Sequence, residues 1–294
     1  MPLLSIYIRI VQILNDEEWV MLNLLYCGND KVFDGMMVSL LSIIKYTKEP
    51  LGVYVLTMDL REVDENNIPV SAKQVDFLDK LIQQVNSESR VYLIDITEVF
   101  RKEMADSINI MSSYTPYTLV RLFADDIPEL PDNILYLDTD TIASDSIEPI
   151  FETDMNGIEF AGVIDYLGKW FIRYNYMNAG VLYLNMPQIR ETGVFKKARQ
   201  MCRNKKMWFP DQTALNRCVK KKKFLSTRYN EQRMIHKNTC IRHFCKTLRL
   251  FPYFHTINIK PWQIDQMHDV FHIFMYDDIL NEYTKQKKIY EELQ

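Results

Sequence analysis

The run Ile134-Leu135-Tyr136-Leu137, followed by Asp138-Thr139-Asp140, constrains the fold more than any other stretch of the chain. Unbroken apolar character of this kind marks a strand buried on both faces, as in parallel sheets. Side chains two apart on an extended chain point the same way, so Asp138 and Asp140 can aim at one ion. In open α/β sheets, ligands gather beyond the carboxyl ends of such strands. Two carboxylates placed there suit a hard divalent cation, and such a cation suits a diphosphate. A pair of strand-end acids that only caps the next turn is the competing reading.

The residues before this strand read as alternating strands and helices. Leu22 to Cys27 is an apolar strand, and Gly28-Asn29-Asp30 after it is turn chemistry. Asp34 stands as an N-cap before a helix from Met36 to Tyr46. Val53 to Leu56 is a strand, Ser71 to Val85 a helix, Arg90 to Ile96 a strand and Thr97 to Ala105 a short helix. A β-α-β-α-β-α order predicts a parallel sheet with helices on its faces. Thr115-Pro116 opens a further helix, on which Arg121 is either solvated or turned toward an anion at the sheet top.

Beyond Asp140, Ser146 to Phe151 reads as a short helix and Ile158 to Ile164 as a strand ending at Asp165. Tyr166 to Tyr176 mixes aromatic and basic residues, either an exposed binding loop or a hairpin over the core. Val181 to Asn185 is a strand, Pro187 to Arg203 one long helix, and Pro210 to Val219 another. Lys220 to Lys223 reads as a solvated turn, with contact to an anionic lipid or acceptor as the alternative. Phe224 to Tyr229 and Thr239 to Phe244 are strands, and Leu250 to Phe254 is an aromatic loop. Asp277 to Leu293 closes the chain as an amphipathic helix.

Composition excludes several classes. None of the eight glycines forms a G-x-G or a P-loop, which argues against dinucleotide and Walker-type sites. A formal net charge of −4 gives no basic excess for nucleic acid. Five cysteines without a CxxC fit reduced thiols in the cytoplasm, with Cys240-x-x-His243-x-Cys245 as a weak zinc candidate. No apolar run is long enough to span a bilayer, so membrane contact is expected to be peripheral at most. Residues 1–20 are expected to be an appendage, 21–265 the main domain and 266–294 a helical extension.

Five motifs in order resemble the family 8 glycosyltransferases, over most of the chain. They are Tyr117-x-x-x-Arg121-Leu122, the ILYLDTD run, MNAGVLYLN from Met177, Pro210-Asp211-Gln212 and Lys260-Pro261-Trp262. The resemblance implies an α/β fold of GT-A type: a mostly parallel, Rossmann-like central sheet flanked by helices, with a C-terminal helical segment. It implies a retaining transferase moving glucose or galactose from a UDP-sugar to a saccharide, lipid-linked glycan or glycoprotein. Asp138 and Asp140 would hold Mn²⁺, or Mg²⁺ in its place, with His243 as third ligand. Gly28, Asn29 and Asp30 would lie against uridine. Arg121, Asp165, Asn178, Asp211 and Gln212 would surround the donor sugar, with Thr139 and Ala179 in the same substrate site. Lys260 would reach the diphosphate. Asp211 and Gln212 are the candidates for the reacting centre.

The chain departs from that family at the third ligand. The glycine expected near the histidine is absent, and sixteen residues separate His243 from Lys260. His255 is therefore a rival to His243. Two other functions compete. Asp138-Thr139-Asp140-Thr141 after an apolar strand also fits a haloacid-dehalogenase-type phosphatase with Asp138 as nucleophile and Asp277-Asp278 as the late acid pair. A nucleotide-sugar binder without turnover is the other.

Overall fold

The computed structural model describes residues 20–104, 106–109, 115–249, 253 and 255–293. A seven-stranded sheet in the order β3-β2-β1-β4-β7-β6-β8 forms the centre. Its strands are β1 (Leu22–Cys27), β2 (Leu51–Thr57), β3 (Arg90–Asp95), β4 (Asn133–Leu137), β6 (Phe160–Ile164), β7 (Met177–Asn185) and β8 (Lys222–Phe224). Only β7 runs against its neighbours; the pairs among β3, β2, β1 and β4, and the pair β6 with β8, are parallel. The expected mostly parallel α/β sheet is therefore present. Alternation along β1 shows why both faces need cover: Leu24 and Tyr26 enter one buried cluster, Leu25 and Cys27 the other.

Helices supply that cover. They are α1 (Phe33–Tyr46), α2 (Ala72–Gln83), α3 (Thr97–Met104), α4 (Glu148–Phe151), α5 (Gly168–Phe171), α6 (Met186–Thr192), α7 (Val194–Asn204), α8 (Pro210–Cys218) and α9 (Asp277–Glu292). Ser71 caps α2, and Gln74 answers it in a capping box. Helix α9 packs on α1 through the Tyr290 and Phe33 rings, 4.5 Å apart, and through Lys287 to Asp34 at 2.8 Å.

Several expected elements differ. Asp34 is not the cap of α1; the helix starts at Phe33, and Asp34 is a first-turn carboxylate bound to Lys287. Pro116 to Asp126 is not an α-helix but an extended 3-10 stretch, and its Arg121 is buried rather than solvated. The long helix from Pro187 is two, because Gly193 turns left-handed at φ 63° between α6 and α7. The four-lysine run is a solvated bend only over Lys220 and Lys221, which are exposed. The Lys220 and Lys221 backbones donate to Glu159, and Lys222 opens the edge strand β8 beside β6. Phe224 to Tyr229 is correspondingly not a strand beyond Phe224, but ends in a 3-10 turn at Thr227–Tyr229. Residues 1–19 of the expected appendage, and the Leu250 to Phe254 loop apart from Tyr253, lie outside the described residues.

Two small sheets complete the architecture, and one of them builds the site. Strand β5 (Thr141–Ala143) begins immediately after Asp140 and pairs antiparallel with β9 (Ile241–His243), Thr141 facing His243. The other joins β10 (Thr247–Arg249) to β11 (His255–Ile257).

A buried charge cluster ties α7 to the sheet's flank. The Arg199 guanidinium is 2% exposed and is bound by Glu103, Asp125, Asp126 and the Leu122 carbonyl. Burial holds the Asp125 carboxyl above its usual range even with Arg199 beside it. Removing the arginine leaves that acid buried and unpaired, so Arg199→Ala is expected to cost about 3 kcal/mol. Urea unfolding reads this directly, and an unchanged midpoint would refute it.

Candidate active site

The site lies beyond the carboxyl ends of β1 and β4. These strands are parallel neighbours with Leu25 beside Tyr136, a register that carries Cys27 alongside Asp138. Asp138 leaves β4 with its backbone N–H bonded to the Gly180 carbonyl at 2.7 Å. Two residues on, the Asp140 carbonyl accepts from the Phe244 N–H at 2.8 Å, which closes the β5–β9 ladder. That ladder brings in the histidine. His243 Nε2 stands 3.1 Å from Asp140 Oδ1 and 3.5 Å from Asp138 Oδ2. His255 is not part of this cluster; it lies on β11 with Nδ1 2.7 Å from the Tyr253 carbonyl.

Cations surround the carboxylates. Arg121 places Nη2 3.0 Å from Asp138 Oδ1, Nη1 2.5 Å from the Ala179 carbonyl and Nε 3.3 Å from Asp211 Oδ2. Its guanidinium lies over the Tyr136 ring, whose hydroxyl donates to Asp138 at 2.5 Å. Lys260 Nζ bonds Asp140 Oδ2 at 2.5 Å. Burial alone would push both carboxyls up. Arg121 beside Asp138, and His243 with Lys260 beside Asp140, instead hold them below the usual carboxylate range. Burial pushes the His243 imidazole down, yet the Asp140 charge together with the Cys245 charge and the hydrogen bonds to Asp138 and Asp140 keeps it well above its usual range.

These residues fit a divalent metal. One ligand atom each from Asp138, Asp140 and His243 fall within 4.8 Å of one another. Asp140 Oδ1 is buried and makes no well-aligned hydrogen bond; the His243 Nε2 lies 3.1 Å from it. A buried carboxylate oxygen facing a ring nitrogen in this way is costly unless a proton or a cation sits between them. Cys240 and Cys245 do not join His243 in a zinc set; Cys240 Sγ is 3.2 Å from the Ser146 carbonyl instead.

Of the remaining expected residues, Asp165, Asn178, Ala179, Asp211 and Gln212 are joined to Arg121 or to one another by direct contacts. Asp165, at the end of β6, accepts from Asn178 Nδ2 at 2.9 Å and Gln212 Nε2 at 3.1 Å. The other end of that amide is also held, since Gln212 Oε1 accepts from the Ala179 N–H at 2.9 Å. Asp211 is buried behind Arg121, and burial keeps its carboxyl above the usual range despite that partner. Gly28, Asn29 and Asp30 follow β1; Asn29 is buried, and Asp30 Oδ1 is buried without a partner. Thr139 sits on the turn between the two acids, its carbonyl and Cβ 2.6 and 3.0 Å from where a Gly35 Cβ would stand. Trp262 Cζ3 lies 2.7 Å from the same notional Cβ, so Gly35 lets both the Asp138–Asp140 turn and the Trp262 ring pack closely on α1.

Three participants were not singled out by sequence reasoning. Tyr136 reads as an apolar strand residue, but its hydroxyl reaches Asp138. Gly180 leaves room for the His243 ring, and an isolated glycine inside a strand is the usual sign of such an approach. Asn230 bonds His243 Nδ1 at 3.1 Å from a turn that carries no local signal. The acid pair at Asp277 and Asp278 lies elsewhere, paired with His268 and Lys45 at α9, so it cannot serve a phosphatase centre at Asp138.

The mostly parallel sheet with an acid pair at the end of β4 has the GT-A fold of solved glycosyltransferase structures. An active-site mutant of LgtC superposes with a TM-score of 0.64 at 16% identity, covering 92% of this chain and 95% of that one. The galactosyltransferase LgtC in complex with donor and acceptor sugar analogues gives 0.61 at 16%, covering 90% and 96%. Among curated proteins, a putative glycosyltransferase of Haemophilus influenzae is 23% identical over 222 residues, 71% of this chain. A lipopolysaccharide 1,3-galactosyltransferase of Salmonella typhimurium is 26% identical over 225 residues, 70% of this chain. The chain spans 63% and 62% of the length of those two relatives. The model of glycosyl transferase family 8 matches residues 23–266, and the chain belongs to that family.

Proposed function

We propose that the protein is a retaining hexosyltransferase that takes glucose or galactose from a UDP-sugar. The observation that carries this reading is the convergence of Asp138, Asp140, His243 and Lys260 at the end of β4. Two carboxylates alone would repel a diphosphate; a cation between them and the donor removes that repulsion. Asp138, Asp140 and His243 would hold a divalent metal, Mn²⁺ or Mg²⁺, which would supply positive charge against the departing nucleoside diphosphate.

The chain's own residues do the rest. Lys260 adds fixed positive charge where negative charge grows as the sugar–phosphate bond breaks. Gly28, Asn29 and Asp30 line the uridine end, with Thr139 next to the diphosphate. Asp165, Asn178, Ala179 and Gln212 orient the sugar. Asp211 is buried and ion-paired to Arg121, and the Gln212 amide is a poor nucleophile held at both ends. Neither suits a covalent intermediate. The acceptor hydroxyl therefore attacks from the face the diphosphate leaves, and its proton passes to the leaving phosphate. A sugar adduct trapped on Asp211 or Gln212 would overturn this route.

The acceptor is a saccharide, a lipid-linked glycan or a glycoprotein, entering over the segment that follows Asp165. Trp170, Phe171 and Tyr174 there are 76, 79 and 77% exposed, and flat rings stack on sugar faces. Five free cysteines suit a cytoplasmic location, with membrane contact peripheral at most. Among the described residues, no helix is long and apolar enough to cross a membrane. We assign residues 21–265 to the transferase domain and 266–294 to a helical extension.

Calorimetric titration with UDP tests the reading. Binding is expected with Mn²⁺ present and to be lost when the metal is removed, and hydrolysis of UDP-glucose or UDP-galactose should follow. Absence of UDP binding under both conditions, with phosphate released from a simple phosphomonoester, would replace the transferase with a phosphatase. Metal-dependent UDP-sugar binding with no turnover of donor or acceptor would make it a binder.

A further inference from the structure

A chain of buried amides links the metal end of the site to its sugar end. Asp165 Oδ2 accepts from Asn178 Nδ2 at 2.9 Å. Asn178 Oδ1 accepts from the Gly180 N–H at 2.9 Å and from Asn230 Nδ2 at 2.9 Å. Asn230 Oδ1 then faces His243 Nδ1 at 3.1 Å. Asn230 is 1% exposed and Asn178 5%, so water does not compete for these bonds.

The direction of this chain is forced from its ends. An ionised carboxylate only accepts, so the Asn178 NH₂ must face Asp165. A backbone N–H only donates, so the Asn178 oxygen must face Gly180, and the same oxygen is what Asn230 meets. Asn230 must therefore donate to it. That leaves the Asn230 oxygen toward His243, and an oxygen there requires a proton on Nδ1. In neutral His243, Nε2 then carries the free lone pair, and Nε2 is the atom that faces Asp138 and Asp140. Hydrogen bonds behind a metal-ligating histidine commonly fix its tautomer in this way.

We propose that Asn230 is a positioning residue with two separable roles. Its oxygen sets the His243 tautomer for a divalent cation, and its NH₂ holds Asn178, and through it Asp165, in place for the donor sugar. This rests on the transferase reading above. The sugar-contacting Asp165 and the metal-facing His243 are thereby coupled through the protein as well as through the donor.

Two substitutions separate the roles. Asn230→Ala removes both bonds. Asn230→Asp keeps an acceptor for the Nδ1 proton but loses the donor to Asn178. Mn²⁺ alone is titrated first, then UDP, UDP-glucose and UDP-galactose with Mn²⁺ present, with thermal melts as a fold check. Asn230→Ala is expected to weaken Mn²⁺ about 10- to 100-fold. Asn230→Asp is expected to hold Mn²⁺ within a few-fold of wild type. Its preference for the better UDP-sugar over UDP should nevertheless fall about tenfold. A general folding defect would move both readouts together, so this split identifies positioning.

Mn²⁺ affinity unchanged in a folded Asn230→Ala protein would overturn the inference while leaving the transferase intact. Equal Mn²⁺ loss in both variants, or an unchanged sugar preference in Asn230→Asp, would overturn the corresponding role. If Asn230→Ala does not fold, the near-isosteric Asn230→Asp decides through its split alone. A wild-type protein that binds no Mn²⁺ and no UDP sinks the transferase reading itself, and the inference with it.

Discussion

Replacing Asp138 and Asp140 together by asparagine is expected to abolish metal-dependent UDP binding and to slow sugar transfer by about 10³-fold or more. The two side chains keep their size, so packing at the end of β4 is preserved. What they lose is charge. Asparagine offers a neutral oxygen where Asp140 now presents a buried carboxylate oxygen 3.1 Å from His243 Nε2. Lys260 and His243 then face no fixed negative charge, and a divalent ion has little reason to enter. The fold should survive, because β4 is hydrogen-bonded on both sides and Arg121 keeps Asp211 and the Ala179 carbonyl as partners. Calorimetry with UDP and Mn²⁺, beside a thermal melt, reads both. A double variant that still binds UDP only when Mn²⁺ is present would show that the metal sits elsewhere.

Gly180→Ala is the second substitution with a large expected effect, although it adds only a methyl group. A Cβ at this position would lie 2.1 Å from His243 Cε1, 2.7 Å from Nδ1 and 2.8 Å from Nε2. The obstacle is space, not backbone conformation, since Gly180 is ordinary strand within β7. Neither partner has freedom to move. Gly180 lies in a strand paired to β4 and β6, and His243 is pinned by the β5–β9 ladder and by Asn230. The ring must therefore leave its place, or β7 must shift and disturb the Asp138 N–H bond to the Gly180 carbonyl. Overpacking of this kind typically costs about 1–3 kcal/mol of stability. Mn²⁺ affinity is expected to fall as far as in a His243→Ala protein, while the melting temperature drops by only a few degrees. Full Mn²⁺ affinity in Gly180→Ala would remove His243 from the ligand set.

Taken together, the two substitutions separate the charge at the site from its placement. The first leaves the geometry and removes the charge. The second leaves every charged residue and displaces one ring. Similar loss of metal binding in both is what a three-residue site requires.

The strand-borne part of the site is legible in the sequence because it is local. Continuous apolar character from Ile134 to Leu137 marks a buried strand, and a two-residue spacing puts Asp138 and Asp140 on one side of it. The order of strands and helices before it fixes a covered, mostly parallel sheet. Where local signals misled or left alternatives open, a tertiary contact decided. Of the two readings of Arg121, the turn toward anions holds, because Asp138 and Asp211 bind it. Glu159 recruits the lysine run into an edge strand, and Gly193 splits a helix that periodicity alone would continue.

The sequence by itself determined the sheet, the acid pair at its carboxyl edge and the set of residues able to meet there. Only the tertiary structure decided which histidine joins the acids, which amide orients it and which glycine makes room for it. The physical reason is range. Strands β5 and β9 have three residues each, too few to declare a register through their own propensity. Their register is set by hydrogen bonds at the ladder's ends, Phe244 N–H to the Asp140 carbonyl and Ser144 N–H to the Cys240 carbonyl, between stretches far apart in the chain. Periodicity and capping act over a few residues, whereas the approach of His243 to Asp140 exists only once the whole sheet has closed around it.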